Sequence, residues 1–255
     1  MSNLSPRLAG LKAVVTGGSS GIGRAIATAF AREGASLLLT YRRNEEGARQ
    51  TVDEIRSLGG RASAIAVDVS VEADVERLTS EAGERLGRVD VWVNNAGADI
   101  LTGDGAQLSG VEKLDRTLGV DLRGTILCSW LAAERMRSQG GGVILNLSWD
   151  HVLTGAPGRP AEIYAAAKGG VLAFSKCLAL SFAPEVRVHV LAPGWIATAF
   201  ADGLAEDSRH RIAEATPLKR WGAPEDVARA AVFLVSGDAA FLTGTTLLVN
   251  GGAVM

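Results

Sequence analysis

Cysteine is scarce in this chain of 255 residues, which contains only Cys128 and Cys177. Neither cysteine belongs to a group with metal-ligand spacing, so the sequence suggests neither a disulfide framework nor a metal site. We expect two buried free thiols, and the composition suits a reducing cytoplasm.

An excess of charge of either sign is also absent. The formal net charge is -2, and the longest basic cluster is the pair Arg42 and Arg43. This balance gives no electrostatic reason to expect nucleic acid or an anionic membrane as a partner. Small molecules are the expected partners.

Long hydrophobic runs, internal repeats and low-complexity tracts are missing as well. No stretch approaches the length of a membrane span, and the N-terminal segment 1–7 lacks the basic and apolar regions of an export signal. We therefore expect a soluble cytoplasmic protein. No Pro/Ser-rich linker divides the chain, which favours a single domain over residues 1–255.

Short runs rich in Val, Leu and Ile alternate with longer amphipathic stretches. The runs predict strands at 12–16, 36–41, 62–67, 89–94, 143–148, 186–191 and 246–250. The amphipathic stretches predict helices at 21–33, 45–58, 71–86, 111–138, 162–182 and 224–236. The predicted fold class is α/β, a single-domain Rossmann-like doubly wound parallel sheet of seven strands flanked by helices. Ligands of such a sheet bind at the carboxyl ends of its strands.

A glycine-rich loop follows the first predicted strand and leads directly into the first predicted helix. Gly17 would permit the tight turn, and Gly21 would let backbone N–H groups approach a pyrophosphate. Gly23 would let the helix pack close to the sheet while its N-terminus faces the anion. This context favours a dinucleotide site over a flexible turn.

The spacing Gly-x-x-x-Gly-x-Gly in this loop resembles the short-chain dehydrogenase/reductase family. Further motifs of that family follow in order, namely Asp68-Val69, Asn94-Asn95-Ala96-Gly97, Tyr164 to Lys168, Pro193-Gly194 and Val249-Asn250-Gly251-Gly252. The resemblance implies a nicotinamide dinucleotide bound by Gly17, Ser19, Ser20, Gly21, Ile22, Gly23, Tyr41, Arg42, Arg43, Asp68, Val69, Asn95, Ala96, Gly97, Tyr164, Lys168, Pro193, Gly194, Ile196 and Thr198. In this set Asp68 and Val69 would border the adenine, although Asp68 is alternatively an ordinary capping residue of the following helix.

The end of the second strand bears on the choice of dinucleotide. An acidic side chain there would bind the ribose hydroxyls of NAD and repel the 2′-phosphate of NADP. The strand ends instead with Tyr41, Arg42 and Arg43. Because a guanidinium binds phosphate through its planar fork, we expect a preference for NADP(H) with Arg42 as the leading contact, and NAD(H) is also able to bind. The alternative is that both arginines solvate a helix start and the two cofactors bind comparably.

Tyr164 and Lys168 are four residues apart, which places them on one face of a helix. Reduction of a carbonyl needs a proton donor beside the oxygen that develops negative charge, and a nearby ammonium group lowers the pKa of a phenol. We therefore predict Tyr164 as the acid/base residue, assisted by Lys168, which by resemblance also binds the nicotinamide ribose. The alternative is a snorkelling surface pair.

The loop after the fifth strand departs from the family pattern, which has a catalytic serine there. Aligned on the strand, Trp149 takes the position of that serine, whereas counting back from Tyr164 gives His151. Ser148, Asp150 and His151 are all candidates for its role. Ser148 is equally a strand-end hydroxyl satisfied by backbone, and His151 is alternatively an exposed loop residue.

Asp121 is the second departure, because the family commonly has asparagine at this position and uses it in a proton relay. If the carboxylate approaches Lys168, the two would pair and the pKa of the lysine would rise. We predict a relay with altered pH dependence. The predicted catalytic residues are thus Tyr164, Lys168, Ser148 and Asp121, without a metal.

The predicted function is NAD(P)(H)-dependent interconversion of a small-molecule carbonyl and a secondary alcohol by hydride transfer. The resemblance is to 3-oxoacyl-[acyl-carrier-protein] reductase-like members, and the alternatives are a sugar or polyol dehydrogenase and a non-catalytic dinucleotide-binding regulator. Segments 98–110, 149–161 and 198–221 should border the substrate, with Trp149, Trp195 and Phe200 as candidate apolar walls. The resemblance also implies a homotetramer or homodimer.

Overall fold

The computed structural model describes residues 6–255 of the chain, so most of the N-terminal segment interpreted above lies outside the described residues. The strands are β1 (Lys12–Val15), β2 (Ser36–Tyr41), β3 (Arg61–Ala66), β4 (Val91–Asn94), β5 (Gly142–Leu147), β6 (Val186–Pro193) and β7 (Thr246–Val249). They form one parallel sheet in the order β3-β2-β1-β4-β5-β6-β7. The predicted doubly wound sheet of seven strands is confirmed.

The helices are α1 (Gly21–Arg32), α2 (Glu45–Ser57), α3 (Glu72–Leu86), α4 (Gly103–Ala106), α5 (Gly110–Thr117), α6 (Thr125–Ser138), α7 (Arg159–Phe182), α8 (Ala199–Asp202), α9 (Glu206–Ala215) and α10 (Pro224–Val235). The single helix predicted at 111–138 is wrong, because a π-helical turn, Leu118–Gly124, separates α5 from α6. The segment after β6, predicted to be irregular, contains α8 and α9. Since α9 buries none of its residues, it has no apolar stripe from which to predict it.

Apolar side chains of the strands pack on both faces of the sheet. In β2, Leu37 and Leu39 belong to the core beneath α1 and α10, whereas Leu38 belongs to the core on the opposite face. Alternation along a strand sends successive side chains to opposite faces, so both faces need a covering layer of helices. Trp92 is fully buried in the second core, as predicted.

A buried polar network ties the ends of the central strands to α7. The side-chain amide of Asn94 donates to Asn146 Oδ1 at 2.8 Å, and Asn146 Nδ2 donates to Ser175 Oγ at 2.9 Å. Trp92 Nε1 completes the network by donating to Asn94 Oδ1 at 2.9 Å. Because each buried polar atom in it has a partner, the network fixes the position of α7 relative to the strands.

Helix α7 corrects two expectations. With 24 residues it is, by length and composition alone, long and apolar enough to cross a membrane, contrary to the expectation that no stretch was. Here it packs on β5 and β6 and buries Ile163, Val171 and Leu178. Cys128 is buried as predicted, but Cys177 on the outer side of α7 is exposed.

Candidate active site

The glycine loop has the backbone geometry that its sequence predicts. Gly17 and Gly21 adopt φ values of +67° and +52°, which residues with a side chain rarely adopt. A Cβ atom on Gly23 would overlap the carbonyl oxygen of Gly17 and the side-chain amide of Asn95. The loop is therefore an open cradle at the N-terminus of α1, and this cradle fits the pyrophosphate of a dinucleotide.

Asn95 holds this loop in place rather than presenting a free amide. Its Nδ2 donates to the carbonyl oxygens of Thr16 and Gly17 at 3.0 and 3.1 Å. The backbone N–H groups of Asn95 and Ala96 both donate to Thr16 Oγ1 at 3.0 Å. The side-chain amide of Asn95 is thus committed to the glycine loop.

A cavity of about 610 Å³ lies at the carboxyl ends of β1, β2, β3 and β4. The residues implied at the cofactor that line it are Gly17, Ser19, Ser20, Gly21, Ile22, Gly23, Tyr41, Arg42, Arg43, Asp68, Val69, Asn95, Ala96, Gly97 and Thr198. Tyr164, Lys168, Pro193, Gly194 and Ile196 do not line it. The sequence prediction missed Thr40, Asn44, Val67, Ala98, Asp99, Thr102, Gly103, Asp104, Gly105, Arg116 and Val120. Segment 98–110, expected beside the substrate, therefore contributes to this first cavity.

Three of the residues outside this cavity lie at the end of β6 or just after it. Pro193 is the last residue of β6, and Ile196 is buried. Gly194 lies so close to Asp150 that a Cβ atom there would come within 2.9 Å of Asp150 Oδ2.

Arg42 and Asp68 form an ion pair on the cavity wall, with Arg42 Nε 3.0 Å from Asp68 Oδ2. The other carboxylate oxygen of Asp68 accepts hydrogen bonds from Ser70 N and Oγ, at 3.0 and 2.6 Å. Asp68 therefore lines the cavity and also stabilises the turn that leads into α3. Arg43 pairs with Asp104 across the cavity at 3.2 Å.

Tyr164, Lys168 and Asp121 come together beside the carboxyl end of β5. Lys168 Nζ lies 2.9 Å from Asp121 Oδ1, donates to Leu147 O at 3.1 Å and lies 5.4 Å from the centre of the Tyr164 ring. Asp121 is fully buried in the π-helical turn, where its Oδ2 accepts from Ala98 N at 2.8 Å. Such turns are frequent at functional sites. The pairing of Asp121 with Lys168 considered from the sequence is present.

This ion pair changes the electrostatics of the tyrosine. Burial alone would lower the pKa of Lys168, but the charge of Asp121, together with Tyr164, raises it. Burial raises the pKa of Tyr164; Lys168 lowers that pKa, and Asp121 raises it again. The net direction is upward, so Asp121 offsets the effect expected of Lys168 and the phenol stays protonated.

The hydroxyl of Ser148 is hydrogen-bonded to backbone, as in the second of the two roles considered for it from the sequence. Its Oγ donates to the carbonyl oxygen of Lys168 at 2.8 Å, and its N–H donates to Leu191 O at 2.7 Å. The side chain is buried beneath α7 and lines neither described cavity. This position does not support the predicted catalytic role of Ser148.

Asp150 and His151 form a chain that the sequence alone did not reveal. His151 Nδ1 lies 2.6 Å from Asp150 Oδ1, and Asp150 Oδ2 accepts from Asn250 Nδ2 at 3.1 Å. Asp150 is completely buried, whereas the His151 side chain is 19% exposed. Because Asn250 follows β7, a hundred residues from Asp150, no local pattern predicts the contact. His151 is therefore oriented rather than a free surface residue.

Aromatic rings surround this chain. Trp149 stacks on His151 with ring centres 5.0 Å apart and meets the edge of Tyr164 at 5.4 Å. Trp195 stacks on Phe200 with ring centres 6.3 Å apart, and it also meets the ring of His151 edge to face. A second cavity, of about 420 Å³, opens beside His151 and Trp195. Of the three aromatic residues expected as walls, Trp195 lines this cavity, whereas Trp149 and Phe200 contact residues beside it.

Known proteins resemble the chain over nearly its whole length. A family described as Enoyl-(Acyl carrier protein) reductase matches residues 17–254. A 3beta-hydroxysteroid dehydrogenase of Eggerthella lenta is 39% identical, over 97% of this chain and 95% of its own length. Glucose 1-dehydrogenase 2 of Bacillus subtilis is 37% identical, over 97% and 96%. A 3-oxoacyl-[acyl-carrier-protein] reductase of Staphylococcus epidermidis is 35% identical, over 95% and 98%.

Solved structures agree with these relationships. A 7α-hydroxysteroid dehydrogenase complexed with NADH and 7-oxo glycochenodeoxycholic acid superposes with a TM-score of 0.88 at 32% identity, covering 98% of this chain and 96% of the other. A short chain dehydrogenase from Burkholderia cenocepacia in complex with NADP gives 0.86 at 33% identity, covering 97% and 99%. The two neighbours thus hold different forms of the nicotinamide dinucleotide.

Proposed function

Because the chain belongs to the short-chain dehydrogenase/reductase family, we propose that Tyr164 and Lys168 carry its chemistry. The protein is an NAD(P)-dependent oxidoreductase that interconverts a carbonyl and a secondary alcohol. The observation that supports the residue assignment is the position of Lys168, whose buried ammonium group lies beside the ring of Tyr164.

In the reductive direction Tyr164 donates its phenolic proton to the substrate oxygen as negative charge develops there. A raised pKa keeps that proton on Tyr164 until the oxygen becomes basic. Lys168, held by Asp121 and Leu147 O, stabilises the phenolate that remains. The dinucleotide, when bound along the glycine loop, supplies or accepts the hydride.

The variant Tyr164→Phe tests this assignment, since it removes the proton and little else. We expect kcat/KM for ketone reduction to fall by about 100-fold to 10,000-fold, the usual contribution of a positioned acid. Dinucleotide affinity, measured by fluorescence titration, should remain unchanged because Tyr164 does not line the first cavity. Turnover that survives the substitution would refute the role.

We also propose that the protein prefers NADP(H) to NAD(H), with Arg42 as the contact to the 2′-phosphate. Arg42 Nε lies 3.0 Å from Asp68 Oδ2, and the terminal amino groups of Arg42 donate no hydrogen bond within residues 6–255. An oriented guanidinium with two free amino groups suits a phosphate. We expect NAD(H) to bind as well, and the NADH held by a neighbour of the same fold supports this.

The experiment compares kcat/KM for NADPH and NADH in the wild type, Arg42→Gln and Arg49→Gln. Losing a charge-assisted contact of about 1.5–3 kcal/mol should lower the NADPH value of Arg42→Gln by about 10-fold to 150-fold and leave NADH nearly unaffected. Arg49→Gln is the control, because Arg49 pairs with Glu46 and Asp53 outside the cavity. A clear NADH advantage in the wild type would overturn the preference.

For the substrate, the site supports a ring-bearing ketone or secondary alcohol. The flat faces of Trp149 and Trp195 suit ring stacking, and relatives include a hydroxysteroid and a glucose dehydrogenase. Acyl thioesters are the second candidate, because a 3-oxoacyl-[acyl-carrier-protein] reductase is also a relative. Parallel assays with cyclic ketones, acetoacetyl thioesters and polyols discriminate among these classes.

We also propose a cytoplasmic homotetramer or homodimer assembled through α6 and α7. Trp130 on α6 is half exposed and meets Phe174 of α7 edge to face at 6.3 Å, and Leu180 of α7 is 83% exposed. An outer face of this kind suits a helix-pair interface. Light scattering that returns the mass of one chain would reject the assembly, and fractionation that finds the protein outside the cytoplasm would reject the compartment.

A further inference from the structure

We infer that the second cavity binds a carboxylate carried by the substrate at a distance from its reacting carbon. The inference rests on the proposed function, since it concerns the substrate that Tyr164 would protonate. It goes further by assigning an anionic recognition site to residues outside the acid/base pair.

The cavity lies beyond Trp149 as seen from Tyr164. One face of Trp149 stacks on His151, which lines the cavity, and the indole also meets the Tyr164 ring. The two cavities share no lining residue. However, Trp195 lines the second and Thr198 lines the first, so the loop after β6 lies between them. The second cavity is thus connected to Tyr164 through the ring contacts of Trp149 and His151, on the side of that loop away from the dinucleotide cavity.

The polar walls of the second cavity offer hydrogen-bond donors and no carboxylate. Its polar lining residues are His151, Ser208, Arg211 and Thr216, and no aspartate or glutamate lines it. Arg211 takes part in none of the ion pairs within residues 6–255, and one terminal amino group donates to Ser208 Oγ at 3.0 Å. A guanidinium that lines a cavity without an ion-pair partner is well suited to recognition of a carboxylate.

His151 borders the same cavity with its ring held in a fixed orientation. Its Nδ1 is held by Asp150, which is itself held by Asn250, so the ring cannot rotate freely. Its Nε2 has no hydrogen-bond partner among the described residues. The Nε2 edge of the ring is therefore available to a polar group of the ligand.

The apolar walls define the rest of the ligand. Trp149 lies between His151 and Tyr164, whereas Trp195, Ile212 and Ala215 line the cavity itself. Aromatic faces bind flat or alicyclic rings through burial and stacking. The substrate class that fits is a cyclic oxo acid or hydroxy acid, with its carboxylate near Arg211 and its carbonyl at Tyr164.

The test compares cyclic oxo acids of one, two and four rings with their methyl esters, in which only the charge is removed. The enzymes are the wild type, Arg211→Gln and the control Arg209→Gln, which removes the same charge from α9 outside both cavities. We expect at least one acid to exceed its ester in kcat/KM by about 10-fold or more in the wild type. Arg211→Gln should lower the value for that acid by about 10-fold to 100-fold through KM, the loss of one charge-assisted contact. The value for the ester should stay within about twofold of the wild type, because the ester makes no such contact.

Equal kcat/KM for every acid and its ester, or an equal loss for both in Arg211→Gln, would overturn the site. Direct binding of the acids, followed by quenching of tryptophan fluorescence, separates this inference from the chemistry. Binding that depends on Arg211 without any turnover would keep the carboxylate site and refute the proposed acid/base reaction. Acids that are neither reduced nor bound would refute the carboxylate site.

Discussion

Replacing Asp121 with asparagine would remove one buried charge while it preserves the shape of the side chain. The amide oxygen of the new side chain would still accept the hydrogen bond from Ala98 N, which Asp121 Oδ2 accepts at 2.8 Å. What disappears is the negative charge 2.9 Å from Lys168 Nζ. Because that charge raises the pKa of Tyr164, the variant should have a lower tyrosine pKa than the wild type.

The cost in stability follows from the same geometry. At 2.9 Å and an effective dielectric constant of about 20, two unit charges attract each other by about 6 kcal/mol. Dehydration of both groups offsets much of this attraction, and deleting one partner of a buried pair costs about 3–5 kcal/mol. Asparagine keeps the hydrogen bond from Ala98 N, so we expect a smaller loss of about 2 kcal/mol in the free energy of unfolding. For a chain of this size that loss lowers Tm by about 4–8 °C.

The decisive assay is the pH dependence of kcat/KM for oxidation of a secondary alcohol at saturating dinucleotide. Oxidation needs the phenolate of Tyr164, so the rising limb of the profile should move to lower pH in Asp121→Asn. Asp115→Asn is the control, because Asp115 is exposed on the preceding helix and outside both cavities. A profile that stays in place, or moves to higher pH, while stability falls would refute the electrostatic reasoning and leave the ion pair a structural role.

Two further predictions concern the glycine loop and the core. Gly23→Ala should destabilise the fold by about 1–3 kcal/mol and weaken dinucleotide binding, because the new Cβ atom would overlap Gly17 O. Fluorescence titration measures the binding, and Gly169→Ala is the control, because a Cβ atom at Gly169 would meet open space. Unchanged dinucleotide binding in Gly23→Ala would contradict the proposed cradle. Burial and the charge of Arg187 lower the pKa of His189 from 6.5 to about 4. As the pH falls, the unfolded chain therefore binds the proton before the folded protein does. Acidification from about pH 6.5 to pH 4 should lower the free energy of unfolding by about 3 kcal/mol. Urea titrations of the wild type and His189→Gln measure this loss, and an equal loss in both proteins would contradict it.

The sheet could be predicted from the sequence because its signals are local and repeated. Each apolar run between amphipathic segments predicts a buried parallel strand by itself, and seven of them agree on one architecture. Motifs at strand ends also identify residues that meet at one edge. Gly17, Asp68 and Asn95 follow different strands and line one cavity for this reason.

The remaining features depend on contacts that sequence periodicity does not carry. The π-helical turn around Asp121 has the apolar spacing of an ordinary helix, so the sequence does not predict that it separates α5 from α6. Ser148 looked equally suited to two roles, and only the packing of α7 places its hydroxyl on Lys168 O. The role of His151 depends on Asn250, and neither residue has a local signal for the other.

The two departures from the family pattern act in the same direction on catalysis. With Trp149 at the strand-aligned position of the usual serine, and Ser148 bound to backbone, no hydroxyl from this strand end is placed to bind the substrate oxygen. Asp121 meanwhile offsets the charge of Lys168. Both changes weaken stabilisation of the oxygen that develops negative charge. Binding energy from a distant part of the substrate can compensate by holding the carbonyl against Tyr164, and a carboxylate bound between Arg211 and His151 would supply that energy.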